Sequence, residues 1–156
     1  MQRHICVLIC LLCLSYFLSG MKMDVKFTVP EKNASNYAVM DKRMDVEKDI
    51  FDAPTLRLKF ILNELAKSGY LSPLQFEVKD VFLTEEICYI DLASTSIKNV
   101  KSILDEVDMV NCIVKTVFVN FDNIREVMML IDDKPADVLV RFYDISIPFC
   151  SSGDRS

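Results

Sequence analysis

The sequence predicts an α/β fold of the α+β type: a two-layer sandwich in which two helices cover one face of a mixed sheet of about five to six strands. Two segments with amphipathic helical spacing lie among about six shorter segments with strand-like patterns. These segments do not repeat as βαβ units, so both helices are expected on the same side of the sheet. In a chain of 156 residues this fits one domain, at residues 21–150, between a leader at 1–20 and a frayed tail at 151–156.

The first half of the domain predicts two strands and a helix. Apolar residues alternate with polar ones over 25–29 and stop at Pro30, and a mixed strand-like segment covers 37–46 after a loop at 31–36. The first helix is expected to begin with Asp52 as N-cap ahead of Pro54 and to end at Gly69. Its buried face is predicted from the helical spacing of Leu58, Ile61, Leu62 and Leu65.

The second half predicts a hairpin, a long helix and further strands. Segments 76–83 and 87–92 are joined by a turn at 84–86. Ser102 and Asp105 form a possible capping box at the start of a helix whose apolar stripe continues to residue 121. A strand at 126–131 closes on Asp132-Asp133, and a further strand at 138–142 precedes an extended segment at 144–149.

The N-terminus has the pattern of a secretory signal. Residues 1–4 contain Arg3 and His4, and the apolar run at 5–18 is shorter than the roughly 20 residues that span a bilayer as a helix. We therefore expect an extracytoplasmic protein, periplasmic, secreted or anchored through this segment, with cleavage after Gly20 or an uncleaved anchor. If Met21 or Met23 is the true start, the protein is instead cytosolic.

Three cysteines follow the leader: Cys88, Cys112 and Cys150. An odd number allows at most one disulfide and leaves a free thiol, so no disulfide framework is indicated. Cys88 falls in an apolar strand and Cys112 in a helix, where buried free thiols are expected.

The chain lacks several residue patterns on which enzymes depend. His4, in the leader, is its single histidine, and the two glycines beyond the leader do not form a phosphate-binding loop. The net charge is −5, without a basic cluster, which argues against nucleic acid as a partner. The sequence thus predicts a non-enzyme with no catalytic, cofactor-binding or metal-ligating residues and no cofactor.

Carboxylates are the remaining candidates for chemistry, and each has a structural explanation. Turns explain Glu85-Glu86 and Asp132-Asp133, and the dipole at a helix start explains Asp105 with Asp108. A less favoured alternative is a hydrolase that uses Asp91 with Asp132 or Asp133. Some apolar residues fit either the core or a partner-binding groove, with the core preferred: Met109, Cys112, Ile113, Met128 and Met129.

A succession of motifs resembles the GerMN domain family, the sporulation and spore-germination module of exported bacterial envelope proteins. The resemblance covers about residues 25–149 and is carried by six segments, at 39–46, 60–74, 78–94, 113–117, 127–134 and 144–149. Within it, Phe60-Ile61-Leu62-Asn63-Glu64-Leu65 resembles the first helix, and Ile90-Asp91-Leu92-Ala93-Ser94 the end of the typical hairpin. Glu86 and Asp133 stand where family members usually have glycine, so the turn types are expected to differ.

The resemblance implies a non-catalytic module, often tethered to a membrane, that binds partners in the cell envelope. Related folds build rings in secretion-like assemblies, so the expected partners are envelope proteins or further copies of the chain, with membrane contact only through the N-terminal segment. No catalytic residues belong to the family. An exposed sheet edge is one surface through which such a module would assemble. The alternative is a cytosolic partner-binding domain that starts at Met21.

Overall fold

The computed structural model of the chain describes residues 20–31 and 36–151. The predicted signal or anchor and the predicted tail beyond Ser151 lie outside these residues. The elements are β1 (Met21–Pro30), β2 (Tyr37–Val46), α1 (Lys48–Asp52), α2 (Pro54–Lys67), β3 (Val78–Leu83), β4 (Ile87–Leu92), α3 (Ile103–Asn120), β5 (Glu126–Ile131), β6 (Lys134–Pro135) and β7 (Phe149–Cys150).

The predicted α+β class is confirmed, with the strands divided between two sheets. In one sheet, β1 and β2 form an antiparallel hairpin in which Met21 lies opposite Val46. In the other, β3 is antiparallel to β4, β4 is parallel to β5, and the short strands β6 and β7 pair with opposite ends of β5.

The division arises because a helix occupies the strand edge that would join the sheets. The Asn120 side chain of α3 accepts the Lys26 N–H at 3.1 Å and donates to the Lys26 carbonyl at 2.7 Å. The Thr116 hydroxyl accepts the Thr28 N–H at 2.9 Å. With these backbone groups bonded to side chains, the part of β1 at Lys26 and Thr28 cannot pair with a strand of the larger sheet.

The first long helix confirms the predicted face and corrects the predicted cap. Its buried residues are Leu58, Ile61, Leu62 and Leu65. Asp52 is not the N-cap, because it ends the short helix α1; the N-cap is Ala53, without a side-chain bond. Pro54 at the first helical position has no N–H, which removes one of the unpaired donors at the start of the helix.

The second long helix begins as predicted. Ser102 accepts the Asp105 N–H through its hydroxyl, and the Asp105 carboxylate accepts the Ser102 N–H at 2.9 Å, which completes the capping box. Met109, Cys112 and Ile113 have 0% exposure, so the prediction that they belong to the core is confirmed. In the described part of the chain, no helix combines the length and apolarity that crossing a membrane requires.

The predicted strand at 138–142 is wrong. Residues 139–142 are bends, and Val138 makes one isolated bridge to Asp144. The alternating apolar pattern is real, because Leu139 is buried and Val140 exposed, but the backbone N–H groups of this segment bond to a side chain of α3 instead of a strand.

Candidate functional site

The pair Asp132-Asp133 forms the two-residue turn between β5 and β6. Both residues have positive φ, 50° and 65°, as a type I′ turn requires. Aspartate is among the residues that tolerate this region, which explains how the turn closes without glycine.

Asp91 lies beneath this turn and is fully buried. Its Oδ1 accepts the N–H of Asp133 at 2.9 Å, and Lys79 Nζ lies 3.5 Å from its Oδ2, an ionic contact without hydrogen-bond geometry. The same ammonium donates to Asp133 Oδ2 at 2.6 Å. This bond lowers the pKa of Asp133 and raises that of Lys79.

Asp132 faces a different partner. Its carboxylate accepts the hydroxyl and the N–H of Ser94, and the hydroxyl bond lowers the pKa of Asp132. Asp91, Asp132 and Asp133 are therefore brought together, as the hydrolase alternative requires. Asp91, however, is inaccessible and both exposed carboxylates bond to their neighbours. The arrangement therefore fits a structural role in holding the turn better than an acid/base pair. Among residues 20–31 and 36–151, no group of three His, Cys, Asp or Glu side chains is placed to hold a metal ion.

The two carboxylates of each other predicted pair do not act together in the structure. Asp105 caps α3, and the backbone N–H of Lys101 is the main cause that lowers the Asp105 pKa. Asp108, one turn later, accepts the Tyr37 hydroxyl at 2.8 Å. Glu85 and Glu86 are exposed, and it is the Glu86 carbonyl that accepts the N–H groups of Arg125 and Glu126.

Glu106, which the sequence patterns did not single out, accepts more hydrogen bonds than any other carboxylate in the described residues. Its side chain has 0% exposure and accepts four consecutive backbone N–H groups at 3.0 to 3.4 Å. The four donors are Val140, Arg141, Phe142 and Tyr143. Such a concave row of N–H groups is a site that nature uses for anions, here filled by the protein's own carboxylate. The signal in the sequence was an acidic residue inside the apolar stripe of α3, between Ile103 and Val110.

The segment that Glu106 holds, residues 137–145 and here named the Glu106 loop, exposes apolar side chains. Leu139 and Ile145 are buried and attach the loop to the core. Five exposed apolar side chains of the loop and of the first turn of α3, whose Glu106 holds the loop, are together named the loop patch: Ile103 (49% exposed), Leu104 (70%), Val138 (39%), Val140 (37%) and Phe142 (55%). An apolar surface on a segment fixed in this way is typical of a contact site.

An open groove of about 600 Å³ runs between α3 and the C-terminal segment. Lys115 and Phe118 line one side, and Phe149 and Cys150 line the other. Cys150 is an exposed free thiol, whereas the free thiols of Cys88 and Cys112 are buried, as predicted for these two. Burial raises the pKa of both buried thiols to about 12, so they are unreactive at neutral pH.

The fold defines a small α+β module of the GerMN type. The structure of the tandem GerMN domains of the sporulation protein GerM from Bacillus subtilis matches over 85% of this chain and 46% of the other, with a TM-score of 0.56 and 19% identity. A crystal structure of a candidate lipoprotein from Clostridium perfringens matches over 85% of this chain and 89% of the other, with a TM-score of 0.50 and 20% identity. At these identities the likeness shows the fold.

The chain belongs to the Germane family, described as "Sporulation and spore germination", whose sequence model matches residues 16–137. The resemblance to the GerMN module is thereby confirmed. The family is described as a sporulation and germination module and is not a known enzyme family. No curated protein matches the chain significantly.

Proposed function

We propose that this protein is an exported, non-catalytic module that acts as an interaction or assembly component of the bacterial cell envelope. The observation that carries the proposal is the Glu106 loop, because a buried carboxylate fixes its backbone while Val140 and Phe142 face solvent. Fixing the loop in advance lowers the entropy that binding a partner would cost.

Two further observations support an extracytoplasmic location. The leader has the charge and length of a secretory signal, and the structural relatives include a candidate lipoprotein and a sporulation protein. β1 begins at Met21, so cleavage after Gly20 would leave the strand complete.

The location is tested by the intact mass of the native protein in separated cytosolic, membrane and extracytoplasmic fractions. We expect a form that begins near Met21 outside the cytoplasm, or a full-length membrane-bound form. A soluble cytosolic form with an intact Met21 terminus would contradict export and favour the cytosolic partner-binding alternative.

The interaction role is tested by photo-cross-linking in living cells. A photoreactive amino acid replaces Phe142 in the loop patch or, as control, Leu56 on α2, which is 46% exposed. We expect Phe142 and not Leu56 to capture an exported protein or a second copy of the chain. Equal capture at both positions, or capture of cytosolic proteins alone, would overturn the role proposed for the loop patch.

A further inference from the structure

The described strands differ in how their outer edges are covered. Thr116 and Asn120 of α3 bond to the backbone along the outer edge of β1. Asn63 of α2 does the same at the start of β3, where its side chain accepts the Val78 N–H at 3.0 Å and donates to the Val78 carbonyl at 3.4 Å. Helix side chains thus satisfy backbone groups that a neighbouring strand would otherwise take.

The outer edge of β2 has no such cover in the part of the chain that the structure describes. In an antiparallel ladder both backbone polar groups of a residue point to the same side of the strand. The backbone groups of Lys26 and Thr28 point to α3. The backbone groups of the residues opposite them, Asp41 and Val39, therefore point away from β1. Strand β2 is ten residues long, and an open edge of that length is a template for another strand.

We propose that this edge pairs antiparallel with the same edge of a second copy, about a twofold axis at Lys42. The result is a four-stranded sheet in the order β1-β2-β2-β1. In this register Asp41 lies opposite Arg43 of the second copy and Arg43 opposite its Asp41, both as hydrogen-bonded pairs. The inference rests on the assembly role proposed above and names one partner for it.

Charge on the solvent face selects this register. Within one copy, Lys26 lies opposite Asp41, and Asp24 lies opposite Arg43 with 3.4 Å between Asp24 Oδ1 and Arg43 Nε. Across the four strands, one row of side chains then alternates between positive and negative charge. It consists of Lys26 and Asp41 of one copy, followed by Arg43 and Asp24 of the second copy. Moving the axis to Asp41 or Arg43 removes both Asp–Arg pairs and places like charges opposite each other, which is unfavourable.

The other face of β2 agrees with the same register. Met40 lies opposite Phe27, and Met44 opposite Met23, within one copy. The axis at Lys42 places Met40, 40% exposed, against Met44 of the second copy and covers both. At the axis, Lys42 lies opposite Lys42 of the second copy. The Lys42 ammonium, however, lies over the hairpin of the same chain, 5.9 Å from the centre of the Phe27 ring. This like-charge meeting and the small edge-to-edge area predict a dimer that dissociates on dilution.

Sedimentation of the protein, as isolated from cells expressing the full chain, tests the dimer over a concentration series. Asp41→Arg and Arg43→Asp each replace two attractive pairs with two repulsive ones, so each is expected to weaken dimerisation by about tenfold or more. An equimolar mixture of the two variants restores both pairs in a heterodimer and is expected to recover wild-type dimerisation. The recovery also shows that both variants are folded.

Cross-linking tests the axis itself. With Cys150 replaced by Ser, a Lys42→Cys variant places two thiols in a non-hydrogen-bonded pair about 4.5 Å apart between Cα atoms, within disulfide range. We expect oxidation to give a covalent dimer, whereas Lys22→Cys in the same background, away from the axis, does not.

Three outcomes would overturn the β2 dimer: a wild-type protein that is monomeric up to about millimolar concentration, a dimer insensitive to both charge variants, or equal cross-linking at both cysteine positions. A failure here leaves the envelope role standing if Phe142 still captures an exported protein in cells. Conversely, a β2 dimer of a cytosolic protein would sustain the interface while the envelope role fails.

Discussion

Glu106 and Asp91 are both fully buried carboxylates that hold a segment from elsewhere in the chain, yet they have different bonding partners. Glu106 is surrounded by four backbone N–H groups of one loop. Asp91 accepts one backbone N–H and has the ammonium of Lys79 nearby.

The difference shows how far each segment depends on its carboxylate. The turn above Asp91 has its own preference for positive φ at Asp132 and Asp133 and its own bond to Ser94. The Glu106 loop has few internal bonds, such as the Leu139 N–H to the Tyr143 carbonyl at 3.0 Å. Removing Glu106 should therefore cost more than removing the charge of Asp91.

The largest effect is expected for Glu106→Gln. An amide replaces one oxygen of this buried side chain with a donor, which leaves N–H groups of the Glu106 loop without their acceptor, and the free energy of unfolding should fall by about 3 kcal/mol. Denaturant unfolding measures the loss, and hydrogen exchange should accelerate at residues 140–143.

The matched control is Glu85→Gln, because Glu85 is exposed on a turn. It should leave both stability and exchange unchanged. Equal effects of the two substitutions would show that the Glu106 bonds do not hold the loop.

A smaller loss is expected for Asp91→Asn. The asparagine oxygen still accepts the Asp133 N–H, and Lys79 is 39% exposed and retains Asp133, so about 1 kcal/mol should be lost. Denaturant unfolding beside the exposed Asp122→Asn measures it. If Asp91→Asn were as damaging as Glu106→Gln, the contrast between the two carboxylates would be wrong.

Ser102→Ala tests whether the start of α3 positions Glu106. The hydroxyl accepts the Asp105 N–H at 3.2 Å, so its loss should cost about 1 kcal/mol. We also expect faster exchange in the Glu106 loop, because Glu106 follows Asp105 directly. Ser102→Thr keeps a capping hydroxyl and should recover most of the stability; no recovery would argue against the cap as the cause.

The smallest effect is expected at Tyr37 and extends the comparison to a third carboxylate, Asp108 of α3. Burial, followed by the hydrogen bond to Asp108, raises the Tyr37 pKa to about 12. Because the unfolded value is about 10, the folded state favours neutral Tyr37, and this contribution is complete below pH 10 and lost as the pH rises through 12.

Wild-type stability should thus fall more steeply than that of Tyr37→Phe between pH 10 and 12. Urea unfolding at pH 8, 10 and 11 measures the difference in stability between the two proteins. Both proteins contain Cys88 and Cys112, so the stability that these thiols lose at high pH cancels in this difference. Parallel stability curves would show that Tyr37 does not ionise as its contacts imply.

Much of the fold could be predicted because its causes are local. The spacing of Leu58, Ile61 and Leu65 fixes the buried face of α2, and the capping box of Ser102 with Asp105 fixes the start of α3. The hairpin of β3 and β4 followed from two apolar runs around a short polar turn, and β5 from one such run.

The candidate site was predictable only in part. Asp91, Asp132 and Asp133 were identified as a possible group, and the structure brings them together, with Lys79 as the unexpected member. Glu106 was missed because one acidic residue in an apolar stripe does not indicate its partners, which lie 34 to 37 residues away. The same bonds explain why alternation at 138–142 predicted a strand that does not form.

The sequence by itself determined the two long helices, most of the strands and the family, because hydrophobic periodicity, caps and turns act within a few residues. The short helix α1 was not among its predictions. Tertiary structure decided the division into two sheets, the shape of the Glu106 loop and the open edge of β2. Each of these depends on which side chain satisfies a backbone group, as Asn120 does for Lys26 and Glu106 for Tyr143. That pairing joins residues far apart in the chain, and local sequence patterns carry no record of it.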